Sequence, residues 1–262
     1  MKLVVDIVAR LALFAILFLL MQVVAAWLMP QLSFGDVDLG RVLAYTLSMI
    51  LMVVVLRLCN RPALLHAEPV MHSRRGFNPI LILFGVVVMI ALSIVLAPLG
   101  SYLPEDSRVF SDSVWTLTLV VVVAPIFEEI LFRGRLYGLL RVKTSPLVAV
   151  TLSSLMFGIM HLQPAVMLEG VLMGLLFSYA YLRTRSIFAP IILHMCNNAL
   201  AYALKVLSYG ERPLLELVDS RNYYVAIYIA SAVVVVISYV LMIRFVVRYN
   251  RRGAKSSKDV NK

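Results

Sequence analysis

Two adjacent carboxylates, Glu128 and Glu129, close a long apolar run in "APIFEEILFRGRL", with Arg133 four residues after the second acid. Further on, "FGIMH" sets Phe157 and His161 four residues apart, and "HMCNN" does the same for His194 and Asn198. Residues four apart share a helical face. Glu129 can therefore pair with Arg133, while Glu128, turned by about 100°, is left without that partner. Two acids, two imidazoles and an amide are the parts of a water-activating hydrolase. A carboxylate withdrawn from bulk water is a better base than one at a surface. One histidine can share the proton and position the water. A second histidine and an asparagine amide can donate hydrogen bonds to a developing oxyanion. The chain has no Gly-x-Ser-x-Gly elbow and no His-Glu-x-x-His helix, so serine and zincin chemistries lack support.

Taken singly, these residues have plainer explanations. Glu129 with Arg133 makes a structural tie, and a lone intramembrane histidine often just bonds a neighbouring helix. Glu169 is expected near a helix end, among headgroups or water. His66 and His72 are expected in a solvated loop. Cys196 falls off the His194 face and is read as filler, and neither Cys59 nor Cys196 suggests a disulfide framework. Gly170 and Gly174 form Gly-x-x-x-Gly, a signal for close helix packing. The cluster carries the weight, not its members.

The elements that must position these groups are membrane helices. Of 262 residues, 62% are hydrophobic, and the mean hydropathy is +0.94. A soluble domain has roughly 45–50% apolar residues. The fold class expected is all-α: a polytopic membrane protein of about eight transmembrane helices with a polar site inside the bundle. The spans fall near 4–29, 42–58, 79–98, 114–132, 147–161, 166–182, 187–207 and 223–247. The first has too long an apolar core for a cleaved signal peptide and is read as a retained helix. One transmembrane domain covers 1–249, and 250–262 is a basic, flexible tail. Glu128, Glu129, Glu169, His161 and His194 lie within spans. A charge at the centre of such a helix costs roughly 2.5–3.5 kcal/mol, so these groups should face the protein interior or a wet cavity.

A net charge of +10 invites a nucleic-acid partner, but its arrangement argues for a membrane. With the N-terminus inside and eight spans, all but Arg41, Arg108, Lys205, Arg212 and Arg221 of the 24 Lys and Arg fall in cytoplasmic segments. That bias places both termini in the cytoplasm. The basic tail then meets anionic lipid, and no nucleic acid is implied.

Glu128-Glu129-x-x-x-Arg133, Phe157-x-x-x-His161 and His194-x-x-x-Asn198 resemble the three motifs of the CPBP intramembrane proteases. That family includes type II CAAX prenyl endopeptidases and bacterial Abi or bacteriocin-processing relatives. The connecting text "APIFEEILFRGRLYGLL" and "YLRTRSIFAPIILHMCNN" is similar too, and the resemblance covers about 121–200. It implies an eight-helix membrane fold and peptide-bond hydrolysis. By resemblance, Glu128 and His161 activate water, His194 and Asn198 stabilise the oxyanion, and Glu129, Arg133 and Phe157 hold the site together. No cofactor is favoured. If a metal such as zinc bound, Glu128, His161 and His194 would be its ligands. The substrates implied are prenylated tails, peptide pheromone or bacteriocin precursors, or membrane protein fragments. In a bacterium the site of action would be the plasma (inner) membrane, with a peptide-processing or self-immunity role. A non-catalytic scaffold or immunity protein is the alternative. A proton-coupled transporter is a further one, although no internal repeat is visible.

One conflict stands in the spacing. Counted from the cytoplasmic ends of the expected spans at 1.5 Å per residue, Glu128 lies ~7 Å deep, His194 ~10 Å and His161 ~21 Å. These meet only if the fifth helix is tilted or starts deeper, if the fifth–sixth hairpin does not span fully, or if the fourth helix continues past Arg133.

Overall fold

The computed structural model describes residues 2–59, 78–100, 111–206, 218 and 220–260. His66 and His72 lie outside the described residues. The described chain forms eight helices and no β-strand. We label them α1 (Lys2–Leu28), α2 (Val37–Cys59), α3 (Pro79–Gly100), α4 (Val114–Arg141), α5 (Pro146–Ile159), α6 (Pro164–Thr184), α7 (Phe188–Val206) and α8 (Arg221–Val260). Six of them, α1 to α4, α6 and α8, are long and apolar enough to cross a membrane. The protein is an integral, multi-pass, all-α membrane protein. Its last helix runs on through the expected tail segment to Val260.

Local chemistry sets the helix starts. Asp36 Oδ1 accepts from the backbone N–H groups of Asp38 and Leu39 at the head of α2. Ser113 and Ser145 do the same for α4 and α5 through Thr116 and Val148. These are N-caps that occupy otherwise orphaned donors. Prolines at the first turns of α5 and α6 lose nothing there.

The depth conflict between Glu128 and His161 is resolved by α4 and α5. The expected fourth span stopped at Phe132 because Arg133 and Arg135 end the apolar run. The helix continues to Arg141 because Arg133 is buried with its charge matched. Glu128 is thus thirteen residues from the Arg141 end, ~20 Å, and His161 is fifteen from Pro146, ~22 Å. Helix α5 has only 14 residues, about 21 Å, which is short of a full crossing.

Helix α4 is not regular. Two π-helical stretches, Leu119–Val123 and Ile130–Leu136, flank the segment Ala124–Glu129 that carries both acids. Pro125 explains the first. It has no N–H, and its ring crowds the preceding turn, so the ladder opens there by one residue. Helix α1 packs on this region with one stripe, Phe14, Phe18 and Met21, the only residues it buries. The Phe14 and Phe18 rings meet Phe132 at 5.2 and 6.0 Å, edge to face.

Candidate active site

The centre of the bundle is a chain of charges. Arg133 is 1% exposed and Glu129 0%. The Arg133 guanidinium donates from Nη1 to Glu129 Oε1 at 2.8 Å and from Nη2 to the carbonyl of Gly174 on α6 at 2.8 Å. It also lies 4.5 Å from the Phe157 ring centroid and 5.4 Å from that of Phe177. One side chain therefore ties α4 to α5 and α6, by ion pair, carbonyl bond and cation–π contact.

Glu129 does a second job. Its Oε1 also accepts from His194 Nδ1 on α7 at 3.0 Å. A carboxylate can only accept, so Nδ1 carries the proton and Nε2 is turned to the other side. That Nε2 lies 3.8 Å from Glu128 Oε2. The separation is too long for a direct hydrogen bond and leaves the two atoms open to a shared partner. Glu128 remains 17% exposed, unlike its neighbour. The adjacent acids have thus separated as their spacing predicted: Glu129 is buried and paired with Arg133 and His194, and Glu128 is partly exposed.

His161 sits in the turn between α5 and α6. Its Nδ1 bonds the Phe157 carbonyl at 2.8 Å. A carbonyl only accepts, so Nδ1 donates and Nε2 is the ring nitrogen left for other partners. The Phe157 ring lies between the two imidazoles, 5.0 Å from His161 and 5.5 Å from His194 by centroids. Phe157 is therefore the wall that both histidines share. The next residue, Leu162, has φ 60° and is exposed. A leucine in the left-handed region costs about 1–2 kcal/mol, and such strain is typical of functional turns. The glycine pair also has its reason. A Cβ on Gly170 would meet Gly158 Cα at 3.0 Å and His161 Nδ1 at 3.4 Å, and one on Gly174 would meet the Arg133 Nη2 at 3.3 Å.

Asn198 is placed otherwise than a free oxyanion donor would be. Its Nδ2 donates to the carbonyl of Val120 at 2.9 Å. The π stretch creates that acceptor. The Ala124 N–H goes to Leu119, and Pro125 has no N–H, so the Val120 carbonyl has lost both of its helical donors. One amide proton of Asn198 repairs the helix, and the other is not committed by that bond. Val120 is eight residues before Glu128, ~12 Å along a regular helix.

The metal alternative can be tested on the donor set. Among the described residues, no three His, Cys, Asp or Glu side chains are grouped to hold a metal ion. Glu128, His161 and His194 are therefore not grouped as a ligand set among the described residues. Sequence reasoning missed one member of the site. The Tyr45 hydroxyl of α2 donates to Glu128 Oε1 at 3.4 Å. Its partner lies on another helix, 83 residues away, so spacing along α2 gives no signal for the pair.

Residues 110–200 match the family model of the Type II CAAX prenyl endopeptidases, Rce1-like. The chain is 32% identical over 106 residues to a protein of Bacillus subtilis (strain 168) named "Putative membrane peptidase YdiL", across 39% of this chain and 43% of that one. It is 30% identical over 116 residues to "Membrane-embedded CAAX protease MroQ" of Staphylococcus aureus (strain USA300), across 42% of this chain and 46% of that one. The alignments thus span less than half the length of either relative. No solved structure matches significantly. The resemblance carried by the three motifs is borne out, and all three lie inside the matched segment. Tyr45 lies outside it.

Proposed function

We propose that this protein is an intramembrane endopeptidase that hydrolyses peptide bonds of membrane-associated or lipidated peptides with water activated by Glu128. The observation that carries the reading is the relay Arg133–Glu129–His194–Glu128. Its inner half is buried and fixed by two bonds of 2.8 Å and one of 3.0 Å, and its last carboxylate is open. A fixed, desolvated relay that ends in one accessible acid suits a reaction in which a single proton is moved.

In this reading a water takes its place beside Glu128 and is positioned by Nε2 of His161, which shares the Phe157 wall with His194. Glu128 accepts one proton as the water oxygen bonds to the scissile carbonyl carbon. The resulting oxyanion is met by an N–H donor. His194 supplies it from Nε2 when the ring carries both protons, since its Nδ1–H is already held by Glu129. Asn198 contributes through the shape of α4 and through its second amide proton. Glu128 then returns the proton to the leaving nitrogen as the C–N bond breaks. Preorganised donors of this kind are worth roughly 10²–10³ in rate each.

Prenylated C-terminal tails and hydrophobic peptide precursors are the substrate classes that suit a carboxylate site within a membrane bundle. They also accord with the family whose model matches and with the names of the two relatives. The Lys and Arg distribution favours both termini in the cytoplasm. The test is a peptide panel presented to the purified protein in detergent, with farnesylated, unmodified and precursor peptides, read by mass spectrometry. Cleavage at one defined bond, with one water added, is expected. Failure to cleave any of them, together with proton flux in proteoliposomes, would favour a conductor instead.

A further inference from the structure

We propose that Tyr45 of α2 is a positioning residue of the site, acting through Glu128. This rests on the peptidase reading. Glu128 has two oxygens and only one can work on water. The Tyr45 hydroxyl donates to Oε1 at 3.4 Å, and Oε2 is the oxygen that lies 3.8 Å from His194 Nε2. A phenol has one proton to give. By giving it to Oε1 it fixes the rotation of the carboxylate and leaves Oε2 directed toward His194.

The supporting helix is itself held in place. One α2 residue two turns earlier, Asp38, lies on the same face as Tyr45. Its Oδ2 accepts from the Ser111 hydroxyl at 2.6 Å, and that hydroxyl lies 2.7 Å from Thr116 Oγ1 on α4. Helix α2 therefore grips α4 twice, once at the head of α4 and once at Glu128. The remaining charged neighbours of Glu128 are Glu129 and Arg133 on its own helix and His194 on α7. None of these donates to Oε1 of Glu128, so no other described side chain replaces the phenol.

The test compares Tyr45→Phe, which removes only the hydroxyl, with Tyr239→Phe. The Tyr239 hydroxyl donates to the Leu172 carbonyl at 2.8 Å, away from the site. Tyr45→Phe should lower kcat by roughly 5- to 20-fold, as expected for a long bond to a charged acceptor. KM and Tm should stay near wild type, and Tyr239→Phe should keep wild-type kcat. A Tyr45→Phe protein with wild-type kcat, while Glu128→Gln is inactive, overturns the proposal and leaves the peptidase reading intact. A Glu128→Gln protein that still cleaves overturns the peptidase reading. A second readout needs no substrate. With ¹³Cζ-labelled tyrosine, the resonance lost in Tyr45→Phe should move in Glu128→Gln. If it does not move, the phenol does not bond Glu128 and the proposal falls.

Discussion

Replacing Arg133 by Met would remove the charge from the centre of the bundle and keep most of the side-chain volume. Glu129 would then be a carboxylate that is 0% exposed, with one Oε atom already unpartnered and only His194 left as a donor. Breaking a buried pair by deleting one partner costs about 3–5 kcal/mol. The lost bond to Gly174 is a charge-assisted one worth about 1.5–3 kcal/mol on its own, but it overlaps with that figure and should not be added in full. The expected loss is therefore about 3–5 kcal/mol, or roughly 6–20 °C in Tm at ~2–4 °C per kcal/mol. Arg133→Lys separates the two parts. An ammonium can hold Glu129 but cannot also reach Gly174 as a planar fork or stack on Phe157 and Phe177. It should lose about 1.5–3 kcal/mol. The assay is reversible unfolding of the detergent-solubilised protein, by denaturing surfactant and by heat. An Arg133→Met protein within about 1 kcal/mol of wild type, or equal losses in Met and Lys, would refute the buried-tie reasoning.

Other perturbations follow from the same contacts. A Cβ on Gly158 would run into the Met167 carbonyl and the Val171 side chain and approach the Val171 backbone N to 2.7 Å. Gly158→Ala should therefore part α5 from α6 and cost about 1–3 kcal/mol in the same unfolding assay. Asn198→Ala orphans the Val120 carbonyl in the π stretch, which should cost about 1–3 kcal/mol and also lower kcat, whereas a pure oxyanion donor would lower kcat alone. Glu129→Gln should leave the His194 ring without its anionic partner and lower kcat with KM little changed, read by steady-state kinetics on any peptide the wild type cleaves.

Much of this arrangement was legible in residue types and spacings. The apolar runs located all eight helices, because a membrane span must satisfy its backbone internally. The i, i+4 pairs put Glu129 with Arg133 and left Glu128 apart, as observed. Depth was not legible. Arg133 ends the hydropathic run, and no counting rule says that its charge is matched by a neighbour and that the helix goes on to Arg141. The work of Asn198 on Val120 was hidden because it depends on a carbonyl freed by Pro125, a backbone event invisible to side-chain spacing. Tyr45 was hidden because its partner is 83 residues away in the sequence.

The most direct test is turnover by wild type and Glu128→Gln in the same detergent, with and without a chelator, after matched unfolding curves show both are folded. Glu128 is the partly exposed end of the relay, so its amide should cost little stability and abolish cleavage. Turnover of the wild type should survive the chelator, since Glu128, His161 and His194 are not grouped as ligands. A folded Glu128→Gln protein that cleaves at the wild-type rate would contradict the assignment of Glu128. Wild-type activity lost to chelator and restored by zinc would contradict the metal-free route.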